Sequence, residues 1–134
     1  MNIGEASALS GVSAKMIRHY ETIGLLPAAA RRGNNYRDYD ERAVAGLQFI
    51  RRARDLGFSL EETGALLELW RDRTRASANV KRLAEEHISD LERRIAEMRA
   101  MADTLRDLAK TCRGDQRPDC PILADLAGPP RKRR

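Results

Sequence analysis

The sequence predicts a mainly α-helical chain: a small N-terminal lobe of short helices carrying one hairpin, then a single long helix, then a short cysteine loop. Three observations predict it. Aromatic residues make up 4% of the 134 positions while hydrophobic residues make up 42%, which suits aliphatic helix packing over a β-sandwich or barrel. Helix-capping residues recur at Asn2, Ser13, Asp40 and Ser59, each just ahead of an apolar-periodic run. Residues 79–110 contain neither Gly nor Pro and keep one apolar stripe throughout. The length excludes two full-sized domains. No stretch approaches the roughly 18 consecutive apolar residues of a membrane span. The first basic residue is Lys15 and Glu5 interrupts the opening segment, so no secretory signal is expected and the expected location is the cytoplasm.

Asn2 and Glu5 have capping-box spacing and open a short helix through Leu9, interrupted at Ser10-Gly11-Val12. Ser13 caps a second helix, Ala14 to Glu21, with Met16, Ile17 and Tyr20 at three-to-four spacing and Gly24 beyond its end. Two such helices joined by a tight Gly-containing turn, about 2–22, form a helix-turn-helix whose second helix enters the major groove. Lys15, Arg18, His19 and Tyr20 on that helix are candidate DNA contacts. From Arg31 to Tyr39, turn residues sit between alternating basic and aromatic ones, which predicts a hairpin, or wing. Arg31, Asn35, Tyr36, Arg37 and Tyr39 are its candidate contacts, placed to hold phosphates and fix register. Asp40 caps a helix to about Leu56, with Val44, Leu47, Ile50 and Ala53 inward and Gly57 beyond it. Ser59-Leu60-Glu61-Glu62 opens a further helix through Trp70. This pair, 40–71, has the shape of a second, smaller wing; Arg51, Arg52 and especially Arg54 are further phosphate candidates.

Charge follows the same division. The net charge is +5, and residues 15–54 hold nine Lys/Arg against four Asp/Glu, whereas residues 76–111 hold seven of each. A basic surplus in the lobe that carries the helix-turn-helix suits a polyanion, although a solvated basic face produces the same count.

Ala84, Ile88, Leu91, Ile95, Met98, Ala102, Leu105 and Ala109 repeat a four-three spacing without a slip. The segment, roughly 48 Å at 1.5 Å per residue, is too long to bury its stripe on a lobe of 75 residues. The chain has no second long helix, so its simplest partner is the same helix of another copy, paired antiparallel in a two-fold dimer. The expected domains are therefore 1–75 for DNA binding, 76–111 for dimerisation, 112–128 for the loop and a short helix, and 129–134 for a disordered basic tail.

Cys112 continues the stripe, and Arg113-Gly114-Asp115-Gln116-Arg117-Pro118-Asp119 forms a polar loop back to Cys120-Pro121-Ile122-Leu123. Zinc wants four ligands, or three and a water. The chain has two Cys and two His; His19 lies on the DNA-reading helix, and His87, expected on the helix surface or in the dimer interface, lies about 37 Å of helix away. Two thiolates alone suit a soft monovalent ion, Cu(I), Ag(I) or Au(I). A disulfide, or two inert thiols closing a loop, is the plainer alternative.

Taken together these motifs resemble the MerR family of bacterial transcription regulators, and within it the copper-efflux regulators. The resemblance runs from residue 1 to about 126. It rests on Ile17-Arg18-His19-Tyr20-Glu21 with Gly24-Leu25, on Tyr36-Arg37-Asp38-Tyr39, and on Ile50-Arg51-Arg52-Ala53-Arg54 with Leu56-Gly57-Phe58-Ser59. Its most specific part is Cys112-Arg113-Gly114-Asp115 with Asp119-Cys120-Pro121-Ile122. Members sensing divalent ions carry a further Cys where this chain has Ser77, so the departure implies monovalent sensing. Asn35 stands where relatives often carry Gly, and Asn tolerates positive φ well. The resemblance implies a homodimer on promoter DNA that, with Cu(I) bound, bends and underwinds the operator so that RNA polymerase engages the promoter. A thiol redox switch on the same scaffold and a cytoplasmic copper-buffering protein are the alternatives. An enzyme is not expected, because the chain offers no nucleophile–base set, carboxylate pair or phosphate loop.

Overall fold

The starts of the first four helices are each set by a side chain that satisfies an otherwise orphaned backbone N–H. The computed structural model describes residues 1–31 and 37–128, and for residues 30, 31 and 37 the backbone alone. Asn2 and Glu5 close the expected capping box: Glu5 N–H donates to Asn2 Oδ1 at 2.8 Å, and Asn2 N–H to Glu5 Oε1 at 3.2 Å. Helix α1 follows as Ile3–Ser10. Gly11 ends it with φ at 76°, and the Arg51 guanidinium lies over this turn, where a Cβ on residue 11 would stand 1.6 Å from Nη1. Ser13 accepts from Met16 N–H at 3.2 Å and opens α2, Ala14–Thr22.

Strands β1 (Ala30–Arg31) and β2 (Arg37–Asp38) pair antiparallel, with Ala30 opposite Asp38 and Arg31 opposite Arg37. The expected hairpin is therefore present at its base. Its turn, with Asn35 and Tyr36, lies outside the described residues. Asp40 caps α3 (Glu41–Asp55) through Ala43 N–H at 2.9 Å, and Ser59 with Glu62 forms the second capping box at the start of α4, Leu60–Arg71. Helix α5 is Ser77–Thr111 and α6 is Pro121–Ala127.

The chain forms two compact units, Met1–Leu83 and Ala84 onward, so the first takes in the opening turns of α5 as well as the expected 75 residues. Its core is aliphatic: Ile17, Leu26, Leu47, Ile50 and Leu67 are each 2% exposed or less. Burying one such side chain contributes about 1.5–3 kcal/mol. Helix α3 lies at the centre of this unit. It packs on α1 and α4, and Gln48 Nε2 donates to Leu9 O at 3.1 Å across the α1 contact. Phe49 stacks on Trp70 with ring centroids 4.7 Å apart. Between α4 and α5, Asp72 Oδ1 accepts from the N–H and hydroxyl of Thr74 at 2.9 and 2.6 Å, which holds its carboxyl below the usual carboxylate range.

The second unit is nearly all α5 and α6. At 35 residues α5 is about 52 Å long. Ile95, Met98 and Leu105 of its stripe are all more than half exposed, so the chain does not cover this face by itself. His87, expected on the helix surface or in a dimer interface, is 6% exposed within the single chain, so the helix-surface reading is corrected. No helix among the described residues is long and apolar enough to cross a membrane.

Candidate nucleic-acid interface and metal centre

Helix α2 presents one wet face and one dry face. Ile17 and Tyr20 turn into the core, and Lys15, Arg18 and His19 are exposed on the other side. These three are the exposed basic and imidazole side chains of α2. The Arg54 guanidinium is exposed at the end of α3 and donates to Phe58 O at 2.7 Å, which fixes it over the α3–α4 turn. With five N–H donors, an Arg so anchored still has others to offer a phosphate. Arg31 and Arg37 sit opposite each other at the base of the hairpin.

Two expected contacts need correcting. Tyr20 is 6% exposed and Tyr39 is 1% exposed, so their rings belong to the core and not to the DNA-facing surface. The Tyr39 hydroxyl donates to Glu21 Oε1 at 2.5 Å, which satisfies its polar end inside the protein.

At the far end of α5, Cys112 N–H donates to Ala109 O at 3.2 Å, carrying the helical path into the loop. Gly114 turns the chain at a φ of 65°, and Asp115 Oδ1 accepts from Arg117 N–H at 2.9 Å. The return places Cys120 immediately before α6, with Pro121 at its first position, where a missing N–H is harmless. The two sulfurs then stand 4.0 Å apart, both thiols free and half-buried. That separation is well beyond a disulfide bond of about 2.05 Å. It leaves room for one ion at an ordinary metal–thiolate distance of about 2.3 Å from each sulfur. The Cys120 thiol is held below its ordinary pKa, first by the Leu123 N–H, then by the Ile122 N–H and the Cys112 thiol, against the opposing effect of burial. Among the described residues no group of three or more His, Cys, Asp or Glu is gathered as a metal site. A thiolate pair is the donor set of a soft ion, so the residues present fit one.

Comparison with known proteins gives this arrangement a family. Residues 1–69 match the MerR HTH family of regulatory proteins, and residues 44–108 match the MerR DNA-binding region. The chain belongs to the MerR family. It is 59% identical to the HTH-type transcriptional regulator HmrR of Sinorhizobium medicae over 95% of this chain and 86% of that one. It is 58% identical to heavy metal-dependent transcription regulator 2 of Rhizobium meliloti, with the same coverage. Among solved structures, the transcription regulator PbrR691 of Ralstonia metallidurans, in complex with lead(II), superimposes with a TM-score of 0.82 at 35% identity, covering 94% of this chain and 98% of that one. MerR-family proteins are DNA-binding regulators and not enzymes, as expected from the residues.

Sequence reasoning missed three features of this MerR-family chain. The role of Glu21 as acceptor for Tyr39 is invisible to helical periodicity, although the residue lies in the motif that carried the resemblance. The backbone N–H groups that favour the Cys120 thiolate were signalled by Pro121, a helix-opening residue directly after the cysteine. Arg51 over Gly11 follows from the absent side chain at 11, but nothing in the sequence says which residue fills the space. Ser77 is the first residue of α5 and is exposed.

Proposed function

We propose that this chain is a cytoplasmic, Cu(I)-responsive transcription regulator that binds promoter DNA as a homodimer and activates copper-efflux promoters for RNA polymerase. The observation that carries the metal assignment is the Cys112–Cys120 pair, two sulfurs 4.0 Å apart with no further metal-type ligand gathered around them among the described residues. Two thiolates and a monovalent ion leave one net negative charge, and soft sulfur favours Cu(I), Ag(I) or Au(I) over ions that demand oxygen, nitrogen or four ligands. The heavy-metal dependence of the Rhizobium meliloti relative and the lead(II) held by PbrR691 support metal as the effector class. The choice among metals rests on this chain's own donors. When bound, the ion would cross-link the two sulfurs and so fix the loop on the end of α5. Lys15, Arg18 and His19 read the groove while Arg31, Arg37 and Arg54, with Asn35 and Tyr36, hold phosphates, and the metal-bound state distorts the operator so that the promoter elements align.

Run-off transcription from a copper-efflux promoter, with each ion added in turn, tests this. Cu(I), Ag(I) or Au(I) should activate. Cys112→Ser or Cys120→Ser should abolish the response and leave operator affinity unchanged, because ligation and DNA reading use different residues. Ser77→Cys should add a response to Zn(II) or Hg(II) by supplying a further thiolate. Activation by Zn(II) as strong as by Cu(I) would overturn the assignment. Activation by oxidant with copper chelated would replace it with the disulfide switch.

A further inference from the structure

We propose that Glu21 is the positioning residue of the DNA-binding unit: its single carboxylate, at the end of α2, pins both ends of the hairpin and sets where the hairpin meets the DNA backbone relative to the groove-reading side chains. Oε2 accepts from the Ala29 N–H at 3.1 Å, just before β1, and Oε1 accepts from the Tyr39 hydroxyl at 2.5 Å, just after β2. The entry and exit of the hairpin thus converge on one side chain of the helix that carries Lys15, Arg18 and His19. A carboxylate accepting two hydrogen bonds is a stiffer tie than a neutral acceptor. Its location supports a tertiary role, because an acidic residue in the last turn of a helix opposes the helix dipole. Before Ala29, the chain leaving α2 is held by the N–H groups of Leu25 and Leu26 on Tyr20 O, at 2.9 and 3.2 Å, which fix the turn but not the hairpin. Tyr39 is almost fully buried, so the carboxylate is tied to the core and the helix moves with the hairpin.

The proposal rests on reading the hairpin as a phosphate-holding wing, and the test separates the two. The full-length protein is titrated with operator duplex by fluorescence anisotropy at several salt concentrations. Glu21→Ala should bind about ten-fold more weakly, as loss of two charge-assisted hydrogen bonds allows. Its salt slope should flatten by about 0.9 for each phosphate that the hairpin no longer holds, while Arg18-dependent discrimination between operator and mutated half-site persists. Arg37→Ala alone should weaken binding similarly. Adding Glu21→Ala to it should cost less than about two-fold more, since both act through the same phosphate. Tyr39→Phe removes only a hydroxyl and should flatten the slope in the same direction, which keeps the test open where Glu21→Ala does not fold. Full additivity of Glu21→Ala and Arg37→Ala, or a wild-type salt slope in Glu21→Ala or Tyr39→Phe, would overturn the positioning role. An Arg37→Ala variant that binds as wild type would overturn the wing reading, and the Glu21 proposal with it.

Discussion

Cys120 differs from an ordinary thiol, half-buried beside Cys112 at the start of α6. The backbone N–H groups of Leu123 and Ile122 face Cys120, and its sulfur stands 4.0 Å from that of Cys112, so the Cys120 thiol is held below its ordinary pKa. A lowered pKa means that at pH 7 more of Cys120 is thiolate than of an ordinary thiol with a pKa near 8.5. The gain in thiolate fraction exceeds the fall in intrinsic nucleophilicity, whose Brønsted slope is only about 0.4–0.5. Iodoacetamide at pH 7 should therefore label Cys120 faster in the folded protein than in the urea-unfolded chain, and the difference should narrow as the pH rises past the ordinary thiol pKa of about 8.5. Peptide mapping after timed quenching reads this directly, and labelling of Cys120 no faster than in the unfolded chain would contradict it. At this scale the sequence was legible in residue type but not in facing. Tyr39 stands just beyond β2, two residues after Arg37, a spacing that puts both on one face of an extended segment, so it reads equally well as a DNA contact or a core residue. A one-residue shift in register exchanges the two faces, and only the packed structure decides.

Among elements, the helix starts were the most legible part of the fold. Asn2, Ser13, Asp40 and Ser59 each cap the helix that follows them, because capping depends on local spacing that no distant contact needs to supply. The stripe on α5 was legible for the same reason, but its pairing direction was not, since an apolar seam reads the same in both orientations. Burial of His87 was also hidden, because periodicity places a residue on a face and cannot say what covers that face. The exposed Ile95, Met98 and Leu105 lead to a prediction about assembly. Leu91 lies in the middle of that seam, and Leu91→Asp would leave an unpaired charge in the interface of each copy. The dimer should weaken by about 3 kcal/mol or more, and operator binding should fail with it because half-sites are engaged two at a time. Sedimentation equilibrium at micromolar concentration should find the wild type dimeric and the variant largely monomeric. A folded wild-type monomer under those conditions would refute the pairing.

The whole molecule separates reading from holding. Nine basic residues against four acidic ones in 15–54 give the N-terminal unit its attraction for DNA, while residues 76–111 are balanced at seven of each, so long-range steering comes from the DNA-binding lobe. Within that lobe, Arg18 stands on the exposed face of α2 and is the proposed base contact, whereas Arg37 lies at the base of the hairpin and is the proposed phosphate contact. A base contact and a phosphate contact fail differently. Arg18→Ala should cost about 1–3 kcal/mol on the operator and much less on unrelated duplex, relaxing preference at one position of each half-site. Arg37→Ala should weaken operator and unrelated duplex alike and reduce the slope of log affinity against log salt by about 0.9 per phosphate, doubled in a dimer. Anisotropy titrations on both duplexes across a salt series resolve the two patterns. Equal loss of discrimination from both variants would mean that α2 and the hairpin do not divide the work in this way.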